Sequence, residues 1–268
     1  MHKKKNIIYI LLILSILLLI ILIFFSLKTL NQKNKIEKEM SKSTGFDSSS
    51  PFSVNRIVYF SSANANVTIG ANSSFTVSDL YQYTDIAIFI NNNSNGNYNA
   101  QNTLKEVKIS KISFDLSPTI GTPNLYYKSM NDFANSNIDE TQKITDNLDF
   151  EISSEDNIDY SKPILYNNCA NPITLGYKNS NLKSDYTLSD NLSHISYDGS
   201  LLKRCFITLN SIACKLSFTI TITNNLDEVY SCPFILTLPL STENSTIYNG
   251  SLILDSKENY NFIKTKNS

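Results

Sequence analysis

The spacing of hydrophobic and polar positions changes once along this chain, close to residue 50. Ahead of the change, residues 7–27 are almost all Ile, Leu or Phe, with no charge among them and Lys3, Lys4 and Lys5 in front. A helix of 21 residues covers about 30 Å, the hydrocarbon thickness of a bilayer, so this run predicts a transmembrane helix. After the change the period becomes two. Short apolar or alternating runs at 57–60, 66–69, 74–77 and 85–90 are bounded by Asn, Ser and Gly, as antiparallel strands are. Residues 107–114 read as a strict alternation, with Val107, Ile109, Ile112 and Phe114 on one face and Lys and Ser toward water, predicting a half-buried strand. Further strands are expected at 148–152, 173–177, 201–209, 216–223, 234–240 and 251–254. The clearest is 217–225, which is rich in β-branched residues and alternates without a fault.

These elements predict a mainly β protein: an N-terminal transmembrane helix, then an antiparallel β-sandwich ectodomain. The expected partition is a cytoplasmic tail at 1–6, a signal-anchor at 7–27, a stalk at 28–50, a first module at 51–138, an acidic boundary at 139–162 and a second module at 163–268. Two modules are suggested by an echo. Residues 85–92 and 217–225 are alternating strands that end in Asn-Asn, and each is followed by a Glu-Val pair, Glu106-Val107 and Glu228-Val229. Within the acidic boundary, the stretch from Asp139 to Asp159 holds eight acidic residues against Lys143 alone. The loops at 91–102 and 178–197 are polar and long, the kind of segment on which such folds carry recognition.

The segments 75–80 leading into 85–92, and 207–210 leading into 218–225, resemble the paired strands of prokaryotic extracellular Ig-like modules. They are also similar to the jelly-roll matrix proteins of the camelysin type, which form biofilm fibres. The resemblance covers about half of the ectodomain. It implies a sandwich of Ig-like or jelly-roll type and a surface setting, and it carries no activity.

Charge refines the picture. Residues 43–268 hold 15 basic and 22 acidic groups, the wrong polarity for nucleic acid, which is bound by clustered Lys and Arg. An exported location fits, with the domain after residue 50 outside the cell membrane and the helix retained as the anchor, since 7–27 is longer than a cleavable signal's apolar region and lacks a cleavage site. Lys28, Lys33, Lys35 and Lys38 beyond the span rival Lys3 to Lys5 in front, so flanking charge alone leaves the orientation open. The sequons at Asn66, Asn72, Asn92, Asn191, Asn244 and Asn249 follow from abundant Asn and Ser, and no glycans are expected from them.

Candidate chemistry is sparse. His194 would have to serve as the base of any Ser-His-Asp arrangement, and no nucleophile elbow accompanies it. Zinc ligands come at short paired spacings, whereas Cys169, Cys205, Cys214 and Cys232 contain no CxxC. No catalytic, cofactor or metal residue is therefore assigned. The four cysteines are disulfide candidates, as an even number in an exported β domain. Cys205–Cys214 across the turn at Asn210-Ser211 is the first pairing expected, leaving Cys169 with Cys232. Tyr126, Tyr127, Tyr166, Tyr177 and Tyr186 could form an aromatic carbohydrate surface or could be core residues. The reading is a non-enzymatic surface protein for adhesion, envelope structure or partner binding, with an extracellular protein or glycan as its ligand. Two rivals stand beside it: an envelope hydrolase or transferase with a site among the acidic and Tyr residues, and a self-associating assembly subunit.

Overall fold

The computed structural model describes residues 50–70, 75–116, 118–153, 162–183, 186–188, 200–240, 252–256 and 260–265. The tail, the apolar run and residues 28–49 lie outside this set, as do His2 and His194. Among the described residues no helix is long and apolar enough to cross a membrane.

The protein from Ser49 to Ser268 is one compact unit built on two sheets. The first sheet contains β1 (Ser53–Ile69), β2 (Phe75–Asn91), β4 (Thr122–Tyr127), β7 (Ile173–Lys183), β8 (Tyr186–Leu188) and β11 (Leu252–Ser256). Its order is β11-β1-β2-β7-β4, with β8 paired to the free end of β2. The second contains β3 (Leu104–Leu116), β5 (Leu148–Ser153), β6 (Ile164–Tyr166), β9 (Cys214–Asn224), β10 (Val229–Leu238) and β12 (Ile263–Thr265), in the order β12-β10-β9-β3-β5-β6. All pairings are antiparallel except β5 with β6.

The expected division into two modules gives way to a single sandwich. Strand β2 pairs with β7, and β3 pairs with β9, so each sheet takes strands from both halves of the chain. The acidic segment is not a boundary either: its β5 hydrogen-bonds to β3 inside the second sheet. The echo also fails as a repeat. Strands β9 and β10 form a hairpin in one sheet, whereas β2 and β3 lie in different sheets.

Alternation explains the second sheet directly. Along β9 every residue from Cys214 to Asn224 in even positions is buried and every odd one is half-buried. The buried set meets Ile57, Ile86, Ile88, Leu125, Ile173 and Leu175 of the first sheet in one core. Aromatic pairs cross between the sheets, Phe114 with Tyr177 at 6.4 Å and Tyr127 with Phe150 at 6.3 Å. The β9–β10 turn is set by Asn224, whose Oδ1 accepts from the amides of Leu226 and Glu228, with Asp227 at φ 61°.

Several strand limits differ from the sequence expectation. Runs 57–60 and 66–69 are one strand, β1, and 75–77 and 85–90 fall in one strand, β2, because bulges absorb the polar interruptions. Strand β3 slips its register between Ser110 and Ser113, with Lys111 at φ 54°, which is why Ile109 and Ile112 break the alternation. Residues 178–183 continue β7 instead of opening a loop. The expected strand at 201–209 is a helical turn, α1 (Ser200–Arg204), closed by amide bonds from Phe206 to Lys203 O and from Ile207 to Leu202 O.

The first sheet extends past the main core. There Val77, Leu80, Leu182, Leu201, Leu202, Cys205, Ile207, Ile212 and Leu252 form a second apolar cluster. Between the two clusters each long strand carries polar side chains: Ser61 on β1, Gln82 and Thr84 on β2, and Asn179 on β7, all fully buried or nearly so. Ser61 Oγ and Thr84 Oγ1 lie 2.7 Å apart, and Gln82 Nε2 donates to Thr84 Oγ1. Among the described residues Gln82 Oε1 and Asn179 Oδ1 find no partner, and the Tyr177 hydroxyl, beside the Cys214 thiol, makes no conventional hydrogen bond.

Candidate functional site

The outer face of the first sheet, turned away from the second, is covered by residues 128–144. This strap leaves β4 at Lys128, makes a 3-10 turn at Met130–Asp132 capped by Ser129 Oγ, and a second at Glu140–Gln142 capped by Asp139 Oδ1. It returns to the sheet edge where the Ile144 amide bonds Leu125 O at 2.8 Å.

Polar side chains on the sheet hold it down. Tyr81 donates its hydroxyl to Ser136 O at 3.1 Å, and Tyr126 donates to Glu140 Oε2 at 2.8 Å. Lys178 Nζ reaches Glu140 Oε1 at 2.7 Å and lies 4.9 Å from the centre of the Tyr81 ring. These contacts, Lys178 foremost, hold the Glu140 carboxyl below its usual range, while burial and the bond to Glu140 push the Tyr126 hydroxyl up.

Beneath the strap is a buried ion pair. Lys128 leaves the end of β4, crosses Gly176 of β7, and ends between both oxygens of Asp85 on β2, at 2.8 Å from each. Gly176 lies directly beneath the crossing, where a Cβ would meet Lys128 Cδ at 3.4 Å, an ordinary van der Waals contact. The side chains are 4% and 0% exposed. The strap completes the cage: the Ala134 amide donates to Asp85 Oδ2 at 2.8 Å, and Asn135 O accepts from Lys128 Nζ. The Tyr83 ring lies 5.3 Å from the ammonium. Burial pushes the Asp85 carboxyl up to about 6 against the opposing pull of Lys128 and the strap amides. Burial likewise raises the Tyr83 hydroxyl to about 12.

Next to this pair the strap and the end of β4 enclose a cavity of about 190 Å³, lined by Tyr126, Tyr127, Lys128, Asp132, Asp139 and Gln142 among others. That volume is below the roughly 300 Å³ of an ordinary small-molecule pocket and suits one residue-sized group. Its chemistry is aromatic and acidic, because Asp85 already neutralises Lys128.

The five tyrosines singled out by sequence do not form one surface. Tyr126 and Tyr127 share the cavity, Tyr166 is exposed on β6 in the other sheet, and Tyr177 is buried in the core. The side chain of Tyr186 lies outside the described residues.

The structure forms no disulfide among Cys169, Cys205, Cys214 and Cys232. Cys205 belongs to the second cluster, whereas Cys214 and Cys232 are in the main core. On the β9–β10 ladder Cys214 faces Leu238 and Cys232 faces Ile220, which separates them by roughly 20 Å of strand. Cys214 on β9 and Cys232 on β10 point inward, where they pack as small apolar side chains. Burial pushes the Cys169 and Cys232 thiols up to about 12, away from thiolate chemistry.

Among the described residues no three His, Cys, Asp or Glu side chains are grouped as metal ligands would be. The loop at 91–102 is ordered by its own Asn residues. Asn102 Oδ1 accepts from the Asn99 amide, its Nδ2 donates to Asn97 O, and Asn224 Nδ2 reaches across to Gln101 O. Sequence reasoning missed the strap and the Lys128–Asp85 pair, although Asp85 is the one charge within the apolar run 85–90. Comparison with protein-family models, with curated proteins and with solved structures finds no match to this chain.

Proposed function

We propose that this protein is a membrane-tethered, non-enzymatic surface protein whose sandwich binds an extracellular protein or glycan through the strap side of its first sheet. The observation that carries the reading is the braced cavity. It presents Tyr126, Tyr127, Asp132 and Asp139 on a strap fixed to the sheet at Tyr81, Tyr126, Lys178 and Asp85, so its geometry is set before a ligand arrives. Lys128, the one strong nucleophile at the cavity, has its three protons committed to Asp85 and Asn135, which favours a binding role over turnover. The apolar run at 7–27 supports the tether.

The finer fold we infer is Ig-like. With β5, β6, β8, β11 and β12 taken as additions, the order β1-β2-β7-β4 against β10-β9-β3 corresponds to strands A-B-E-D against G-F-C of a seven-stranded immunoglobulin domain.

The test uses the full chain on cells and in detergent. Protease added to intact cells should release the sandwich, and glycan, peptide and cell arrays should find a ligand that Asp132→Ala, on an exposed strap residue, weakens about tenfold or more. Sandwich protected until lysis in cells with an accessible envelope would sink the topology. Binding that ignores Asp132→Ala and Gln142→Ala would move the site elsewhere.

A further inference from the structure

We propose that the cavity under the strap is a seat for the ammonium of a lysine side chain presented by the partner protein. The inference rests on the strap-side binding reading and narrows its ligand from protein or glycan to protein.

The same outer face already holds two lysines of this chain, and it holds them alike. Lys128 Nζ sits on the Asp85 carboxylate with the Tyr83 ring 5.3 Å away, and Lys178 Nζ sits on Glu140 with the Tyr81 ring 4.9 Å away. In each case a carboxylate meets the charge and a tyrosine ring lies within cation–π range. The cavity repeats the carboxylate and the ring. Tyr126 and Tyr127 form its aromatic wall, and Asp132 and Asp139 supply the carboxylates. Burial first, and then the Asp132 charge, push the Tyr127 hydroxyl up, so that carboxylate stands close to the ring.

The hydrogen-bonding capacity of the lining is largely unspent. Among the described residues the Asp132 carboxylate, the Tyr127 hydroxyl and the Gln142 carboxamide make no hydrogen bond, whereas the Tyr126 hydroxyl is used on Glu140. Asp139 Oδ1 takes the Thr141 amide and hydroxyl, which leaves Oδ2 to a ligand. Thr141, through its hydroxyl and then its amide, also holds the Asp139 carboxyl below its usual range, so it is charged at neutral pH. Lys128, the one cation among the described lining residues, is neutralised by Asp85, and Lys143 is not part of the lining. Two uncompensated carboxylates favour a donor that carries positive charge and repel phosphate or carboxylate. An ammonium brings three donors to these acceptors. The space of about 190 Å³ admits one unbranched side chain, whose methylene stem has the tyrosine rings to lie against.

Ligand-observed NMR on the full chain in detergent tests this, with Nα-acetyl-lysine amide as the probe and Nα-acetyl-norleucine amide, an uncharged chain of similar length, as the control. The lysine amide should bind at millimolar concentration and the norleucine amide should not, and hydrogen exchange should slow across residues 128–144. Asp132→Asn should weaken the binding about tenfold or more. The Asp132 side chain is exposed and holds nothing in the fold, so this variant keeps the strap. Lysine amide that binds no better than norleucine amide overturns the proposal, as does binding that survives both Asp132→Asn and Asp139→Asn. A glycan that the arrays find and Asp132→Ala weakens, with no binding of the lysine probe, also overturns it and leaves the strap-side reading intact. An array ligand that ignores Asp132→Ala, where the probe needs Asp132, overturns the strap-side reading and the partner with it, while the ammonium site stands.

Discussion

The outer faces of the two sheets are made from the same strand grammar and end in opposite environments. On the second sheet, Lys108, Thr219, Thr221 and Ile235 alternate with the core and stay half-exposed or exposed. On the first, β2 is buried on both sides from Gln82 to Ile88, because Tyr83, Asp85 and Ala87 lie under the strap. The difference shows that one segment of 17 residues, not any change in strand pairing, turns a solvent face into an interior one. The strap has little apolar surface of its own, so polar anchors hold it, and the deepest of them is the ion pair.

That comparison is most easily broken at Asp85. Asp85→Ala leaves the Lys128 ammonium buried without its partner, and unfolding in urea should show a loss of about 3–5 kcal/mol. The counterpart on the open face is the Lys108–Asp149 pair, 3.6 Å apart with side chains 39% and 57% exposed. Lys108→Ala should cost no more than about 1 kcal/mol by the same measurement. Equal losses would mean that the strap does not close off the first sheet.

A smaller effect is expected where the first sheet outruns the second. Phe206 closes α1 in the left-handed region at φ 58° and is 77% exposed, a position that glycine occupies without strain. Phe206→Gly should stabilise the protein by up to about 1 kcal/mol in thermal unfolding. A clear loss would show that this ring is packing against something that its exposure conceals.

The pH dependence separates two carboxylates by sign. Glu228, on the open side, is held down to about 2 by Lys264, Asn224 and Tyr230, from an ordinary 4.5. Its contribution is present above 4.5 and is lost as pH falls toward 2, so Glu228→Gln should flatten the acid limb of the melting curve. Asp85 runs the other way. Raised from 3.8 to about 6, it favours the folded state most below 3.8 and loses that contribution as pH rises through 6. A variant lacking Glu228 that melts in acid as the wild type does would remove this distinction.

How much of this was legible follows from where the polar residues fall. Strand β9 could be read nearly residue by residue, because its faces are simply core and water, whereas its partner β10 was expected at 234–240 and runs from Val229 to Leu238. The tail of β7 could not be read, because Asn179 points into the sandwich and its neighbours Lys178 and Ser180 look like a loop. Strand β4 was hidden by Pro123 and Asn124 beside a covered tyrosine pair. For the candidate site, Asp85 beside Ala87 and Phe89 was a trace of a covered face, but its partner Lys128 is 43 positions away, and only the crossing over Gly176 unites them. The cysteines misled for a related reason: an even count and a turn between two of them say nothing of the distance between thiols once strands and clusters separate them.

The polar belt of Ser61, Gln82, Thr84 and Asn179 has a consequence for how the molecule breathes. Apolar contact is what couples one part of a fold to the next, and here polar side chains interrupt it on β1, β2 and β7 at the same level, leaving half-buried Leu240 and Leu254 to touch both clusters. The end carrying α1 and residues 75–80 is therefore able to open and reclose as a cooperative unit while the main core stays shut. Its amides should exchange with deuterium ahead of those at 86–90, and the strands themselves, continuous through the belt, would serve as the hinge on which that end moves.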